Sequence, residues 1–329
     1  MKTILKACVA MLAFSSAAMA QTPVKIGIGF GTGFLPLFIM QEEHLLEKAG
    51  KAQGLDLAAS YVRFSGSSAM QDAVLSGAVD MGVYGVGAML IAWDKAHGTA
   101  NQLVGIAGVN STPLVLVTNK SGAKDIGDLA PDEKISMPAL ISPQMYALQL
   151  IAEKRFGPGQ QDKYRTQVVA LPHPESVNAL MSGITEVRAY FSTQPFTKIA
   201  LDSGKTHVIG TSEDAFGGRS TFLAAGATKR YLDANPKMAA VMAAALTEAG
   251  DMIRNEPEKA AAIYLKTEPS KVLDQAGVTA MLKEEKGDFG TEVTGVKTLA
   301  DFMNRLGQLK RVPASYADVF GPSVGAGSN

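Results

Sequence analysis

Ser68-Ala69-Met70-Gln71-Asp72-Ala73-Val74-Leu75-Ser76-Gly77-Ala78-Val79-Asp80, followed by Tyr84, is matched 106 residues later. The second copy reads Pro174-Glu175-Ser176-Val177-Asn178-Ala179-Leu180-Met181-Ser182-Gly183-Ile184-Thr185-Glu186, followed by Tyr190. Alanine, Ser-Gly and tyrosine coincide at the same offset, and Asp80 is answered by Glu186. Each copy reads as a helix closed by a glycine, then a short strand, then a loop at the strand's carboxyl end. Two copies of one unit predict two similar lobes that face each other.

Outward from the repeat, segments 24–29 (VKIGIG), 55–64 and 79–84 read as strands of the first half, with helices over 38–48 and 67–75. Strands are also expected at 114–118, 134–137, 167–171, 188–191, 207–210 and 221–225, and the tail after Pro236 is almost entirely helical. Strands alternating with helices predict an α/β fold of mainly parallel sheets flanked by helices. At 329 residues, 47 % of them hydrophobic, the chain exceeds what one core normally holds, so two lobes with a cleft between them are expected.

The N-terminus has the three parts of a cleavable export signal: Lys2 and Lys6, an apolar core at 7–14 (ACVAMLAF), and Ala18-Met19-Ala20 as cleavage site. The apolar run is far short of the roughly 18–20 residues that span a bilayer. An exported protein, free of the membrane once the signal is removed, is therefore expected. The only cysteine, Cys8, lies in this segment, so the remainder has no disulfide, thiolate nucleophile or cysteine metal site. Acidic and basic residues number 31 each, and losing Lys2 and Lys6 leaves a slight acidic excess. That balance argues against nucleic acid or a polybasic membrane contact.

Catalytic signatures fail one after another. Gly27, Gly29, Gly31 and Gly33 give no G-x-G-x-x-G, and no Gly-Lys-Ser/Thr follows. Gly66-Ser67-Ser68-Ala69-Met70 lacks the last glycine of a nucleophile elbow. His44, His97, His173 and His207 are isolated, and Glu42-Glu43 and Glu284-Glu285 read as solvated pairs. No metal, cofactor or catalytic set is expected.

A binding device recurs instead. Ser65-Gly66-Ser67-Ser68, Ser142-Pro143-Gln144 and His173-Pro174-Glu175 each open a helix after a strand. Free backbone N–H groups and the positive helix end there suit a carboxylate, sulfonate or phosphate. Apolar walls come from Phe34-Leu35, Tyr84-Gly85 and Phe191-Ser192-Thr193. The candidate ligand-binding residues are therefore Phe34, Leu35, Ser65, Gly66, Ser67, Ser68, Tyr84, Gly85, Ser142, Gln144, Pro174, Glu175, Phe191, Ser192 and Thr193. Arg63 and Arg219 are the basic residues expected near the lobe junctions.

The Lys25-Ile26-Gly27 strand, the Gly33-Phe34-Leu35-Pro36 loop, Gly66-Ser67-Ser68, the 73–82 segment (AVLSGAVDMG) and Asp125-Ile126-Gly127-Asp128-Leu129 together are distinctive. The chain resembles the nitrate/sulfonate/taurine and thiamine-precursor class of ABC-transporter substrate-binding proteins. That resemblance implies a two-lobe, type II periplasmic-binding fold. Lobe 1 would hold 21–113 and 219–329, and lobe 2 would hold 114–218, with strands 114–118 and 221–225 forming a paired hinge. It implies a monomer that binds a small organic anion and docks on a membrane permease. An enzyme of thiamine-precursor-synthase type on the same fold is an alternative reading, as is a TRAP-type or sensor-coupled receptor.

Overall fold

A computed structural model describes residues 21–64 and 66–321. The export signal read at 1–20 and Ser65 lie outside the described residues. The strands are β1 (Thr22–Ile28), β2 (Leu57–Arg63), β3 (Met81–Gly85), β4 (Leu103–Asn110), β5 (Val115–Thr118), β6 (Lys134–Met137), β7 (Val168–Ala170), β8 (Val187–Ser192), β9 (His207–Thr211) and β10 (Leu223–Thr228). They form two five-stranded sheets, β2-β1-β3-β10-β4 and β7-β6-β8-β5-β9.

The helices run α1 (Leu35–Glu42), α2 (Leu45–Ala52), α3 (Ser67–Ser76), α4 (Val86–Lys95), α5 (Pro143–Phe156), α6 (His173–Ser182), α7 (Phe196–Asp202), α8 (Ser212–Phe216) and α9 (Lys229–Ala234). The tail adds α10 (Met238–Asn255), α11 (Pro257–Thr267), α12 (Gln275–Glu284) and α13 (Val296–Arg305). Among the described residues, no helix is long and apolar enough to cross a membrane.

The sheets are built alike. In the first, β10 alone runs against its neighbours, antiparallel to β3 and β4. In the second, β5 is the reversed strand, antiparallel to β8 and β9. The other strands of each sheet share one direction, as the βαβ pattern of the sequence requires. The reversed strands are those by which the chain enters each sheet after crossing. They therefore sit in different sheets and do not pair as a hinge, contrary to the sequence expectation. The crossings themselves, 111–114 and 212–222, meet where Ser212 N–H donates to the Leu114 carbonyl at 2.8 Å and Leu114 N–H donates to Ser212 Oγ at 3.0 Å.

The repeat survives in three dimensions at the same offset. α3 and α6 begin and end 106 residues apart, and Gly77 and Gly183 close them in the left-handed region with φ of 77° and 67°. That backbone conformation favours glycine. Tyr84 and Tyr190 are both fully buried in the strands that follow. Asp80 N–H donates to the Lys25 carbonyl at 2.9 Å, while Lys134 N–H donates to the Glu186 carbonyl at 2.8 Å. Asp80 and Glu186 thus join equivalent strands of the two lobes.

Packing explains two departures from the sequence reading. The helix expected over 38–48 is two helices, broken at His44, which is left-handed with φ of 52°. Leu37, Phe38, Ile39 and Met40 are all buried, because α1 is enclosed by the first sheet, α10 and α11. β4 was not among the expected strands. Its Gly105 lies under the Phe320 ring and its Gly108 under the Glu292 carbonyl, contacts supplied by the distant C-terminal tail. A second apolar cluster continues from Met89, Leu90 and Trp93 of α4 through Met145 and Tyr146 of α5 into the second sheet. The two lobes therefore share buried surface on the α4–α5 side.

Candidate ligand-binding site

A cavity of about 130 Å³ lies between the sheets, at the carboxyl ends of their parallel strands. It is lined by the first residues of four helices: Gly66 and Ser67 at α3, Gly85 at α4, Ser142, Pro143 and Gln144 at α5, and His173 at α6. The opening N–H groups of a helix have no partner within it, so this is where backbone donors are free. Ser142 caps α5: its hydroxyl accepts from Met145 N–H at 3.2 Å and donates to the Ala139 carbonyl at 2.8 Å. Ser67 Oγ accepts from Gly85 N–H at 3.1 Å and so ties the start of α3 to the start of α4.

The lining divides by origin. Phe30, Phe34, Phe64, Met70 and Phe222 come from the half built on the first sheet; Ser142, Gln144, His173 and Thr193 come from the half built on the second. Gln144 is 1 % exposed, and its Oε1 is enclosed without a hydrogen-bond partner. His173 Nδ1 lies 2.5 Å from the Tyr190 hydroxyl, and the imidazole stacks on Phe196 with ring centroids 5.4 Å apart. Burial pulls the His173 pKa down to about 4, so the ring is neutral near pH 7. Burial also pushes the Tyr190 hydroxyl well above its ordinary value.

No lining side chain carries a charge near pH 7. The two arginines expected near the lobe junctions are engaged elsewhere. Arg63 donates to Glu268 Oε1 at 3.1 Å and stacks over Phe30 and Phe38, each at 4.9 Å. Arg219 pairs with Glu213 at 3.2 Å and with the buried Asp288. Glu285, read from sequence as half of a solvated pair, is 8 % exposed; it closes α12 against the fold, and burial raises its pKa to about 8.

The structure brings Phe34, Gly66, Ser67, Gly85, Ser142, Gln144 and Thr193 together around the cavity. Leu35, Tyr84 and Phe191 are fully buried in the cores beside it. Ser192 is also buried, donating to the Val115 carbonyl at 2.7 Å and bonded to Thr197 Oγ1 at 2.7 Å. Ser68, Pro174 and Glu175 are exposed on their helices and lie outside the lining. His173 opens one of the three turns read from the sequence but is not among the candidate ligand-binding residues, yet it stands 106 residues after Ser67. The repeat that located the helices carried the signal for it. Phe30, Phe64 and Phe222 had no such signal, because only the closing of strands over one another brings them to one place.

The chain belongs to the NMT1-like family, whose model matches residues 17–266. No curated protein matches its sequence. Among solved structures it is similar to the periplasmic aliphatic sulphonate binding protein SsuA of Escherichia coli. The TM-score is 0.70 at 19 % identity, covering 92 % of this chain and 98 % of that one. The alkanesulfonate-binding SsuA of Xanthomonas axonopodis pv. citri, bound to MOPS, gives 0.69 at 18 % identity, with 92 % and 98 % coverage. The periplasmic nitrate-binding protein NrtA of Synechocystis PCC 6803 gives 0.67 at 15 % identity, with 91 % and 85 % coverage. The fold is thus that of the periplasmic binding proteins, over nearly the whole chain.

Proposed function

We propose that this chain is the solute-binding component of an ABC importer, a periplasmic monomer that holds a small organic solute between two lobes. Lobe 1 comprises 21–113 and 219–329, and lobe 2 comprises 114–218. The observation that carries the reading is the cavity itself. Helix N-termini from both sheets converge on one space lined by both halves, so a bound solute bridges them. The family, the named ligands of the fold neighbours and the export signal read at 1–20 all support it.

The mechanism is closure by hinge motion. The shared α4–α5 core holds the halves together on one side, and the cleft-side contact is polar: Thr32 Oγ1 donates to the Gln194 carbonyl at 3.1 Å. A solute that touches both walls adds contacts only the closed form can make, and it shifts the equilibrium by that differential affinity. The closed form is then what a membrane permease recognises.

A thermal-shift screen of sulfonates, aromatic carboxylates, amides and vitamin precursors tests the reading, with small-angle scattering of each hit. Stabilisation with a smaller radius of gyration supports it. A folded, ligand-free protein that responds to none of them, or that turns a hit over chemically, overturns it.

A further inference from the structure

We infer that Phe30 and Ile141, one from each half, form an apolar lip at the mouth of this cavity that grips the hydrocarbon end of the solute. The protein therefore takes an amphipathic solute, polar head inward and apolar tail outward. The inference rests on the solute-receptor reading and adds the residues that set tail length.

Exposed apolar side chains gather at this mouth. Of the eight large hydrophobic residues that stand exposed among the described residues, Phe30 (52 %), Leu140 (47 %) and Ile141 (57 %) belong to the two turns that flank it. Phe30 and Ile141 line the cavity as well as meeting solvent, which puts both on its rim. Phe30 follows β1 of the first sheet, and Ile141 stands just before the Ser142 cap of α5 in the other half. Apolar surface left in water is unfavourable, and gathered beside a cavity it marks a binding surface.

Phe30 is also held in place. The Arg63 guanidinium stacks over its ring at 4.9 Å. Glu268 takes that guanidinium at 3.1 Å and also accepts the N–H of Gly31, the next residue, at 3.0 Å. A part-buried ion pair and a backbone bond therefore keep an exposed ring at the rim.

The occupant follows from the lining. Ser142 and Thr193, the hydroxyl residues from the second half, are buried, whereas Phe30 and Ile141 are not. The interior holds about 130 Å³, less than the roughly 150 Å³ of a cavity that accepts benzene. A solute of more than about six heavy atoms cannot lie wholly inside, and the part that passes the mouth meets the lip. A hydrocarbon tail there removes the rim from water, and a hydrated or charged one does not.

The test is calorimetric titration of the exported chain with two homologous series, n-alkanesulfonates and n-alkanamides with tails from ethyl to octyl, so that the tail is varied apart from the head. In the series that binds, affinity is expected to rise with each added methylene by up to about fourfold, the worth of one fully buried CH₂. Ile141→Ser and Phe30→Ser are each expected to cut the ratio of longest-tail to shortest-tail affinity at least about threefold. Circular dichroism checks both variants. Ile141 is more than half exposed, so its variant decides if removal of the Phe30 ring unfolds the chain. Affinity that does not rise with tail length, or a rise that the folded variants leave intact, overturns the inference; in the second case the lip serves another partner. Binding by neither series at millimolar concentration overturns it too, while a hit from the wider screen that closes the lobes in scattering leaves the solute-receptor reading standing.

Discussion

Glu268 Oε2 accepts the backbone N–H of Gly31 at 3.0 Å, joining the residue that closes α11 to the glycine-rich turn after β1. The same carboxylate takes Arg63 at 3.1 Å and the Tyr264 hydroxyl at 3.1 Å. Arg63 in turn stacks on Phe30, which lines the cavity. One acid in the C-terminal tail therefore holds both the backbone and one aromatic wall of the site. Glu268→Ala is expected to cost about 2 kcal/mol, the scale of hydrogen bonds to a charged group that is partly buried. Solute affinity should fall with it. Urea unfolding measures the first and calorimetry the second; Glu268→Gln, which keeps an acceptor, should lose less of both.

Gly87 of α4 packs against Tyr146 of α5, across the two halves. A Cβ there would lie 2.4 Å from Cε2 of Tyr146 on α5. Gly87→Ala must push the two helices apart or turn the tyrosine, a change of the kind that costs roughly 1–3 kcal/mol in packed cores. Because this contact spans the lobes, the variant should also scatter as a more open particle and close less on adding solute. An unchanged radius of gyration with unchanged affinity would show that α4 and α5 do not set the opening angle.

Asp94, on α4, accepts from Lys310 N–H at 2.8 Å and from Arg311 N–H at 3.2 Å, and pairs with the Arg311 guanidinium at 3.2 Å. Burial works to raise its pKa, but these donors outweigh it and hold the carboxyl below its ordinary value. Asp94→Ala should release the tail that carries Phe320 against β4. Faster proteolysis and amide exchange in 306–321, with the second sheet still protected, is the expected pattern.

Much of the fold was legible in the sequence because it is encoded locally and twice. The Ser-Gly helix ends, the alternating strands and the tyrosine after each repeat appear in one window and again 106 residues on. β4 was not legible. LVGIAGVN is not among the strands expected from the sequence; its two glycines leave gaps that Phe320 and Glu292 arrive from the tail to cover. The candidate site was legible in part. Caps such as Ser142 and turns such as Gly66-Ser67 announce themselves, whereas Phe222 reaches the cavity only by the return crossing. Burial of Glu285 was hidden for a related reason. Beside Glu284 it looks like a polar helix end, and only the docking of α12 removes it from water.

Two buried groups give stability opposite slopes with pH. Burial raises the Glu285 pKa from 4.5 to about 8; Glu284 reinforces this, while Gln194 and Arg219 oppose it. Between those values the unfolded chain has lost the proton and the folded chain keeps it, so stability falls as pH rises. His173 is the reverse: its pKa drops from 6.5 to about 4 on burial, so the unfolded chain takes up a proton first and stability falls as pH drops through that window. From 4.5 to 6.5 the two slopes offset each other. Above 6.5 the His173 slope is spent and that of Glu285 remains, with a limiting value of roughly 1.4 kcal/mol per pH unit; burial also raises the Glu268 pKa, which adds a slope of the same sign above 4.5. Urea midpoints of the wild-type chain should therefore decline from pH 6.5 to 8, and Glu285→Gln should flatten that limb. His173→Gln should leave the upper limb intact and remove the opposing slope, so that stability declines with rising pH from 4.5 onward. A variant Glu285→Gln whose midpoints still fall between pH 6.5 and 8 would place the responsible proton elsewhere.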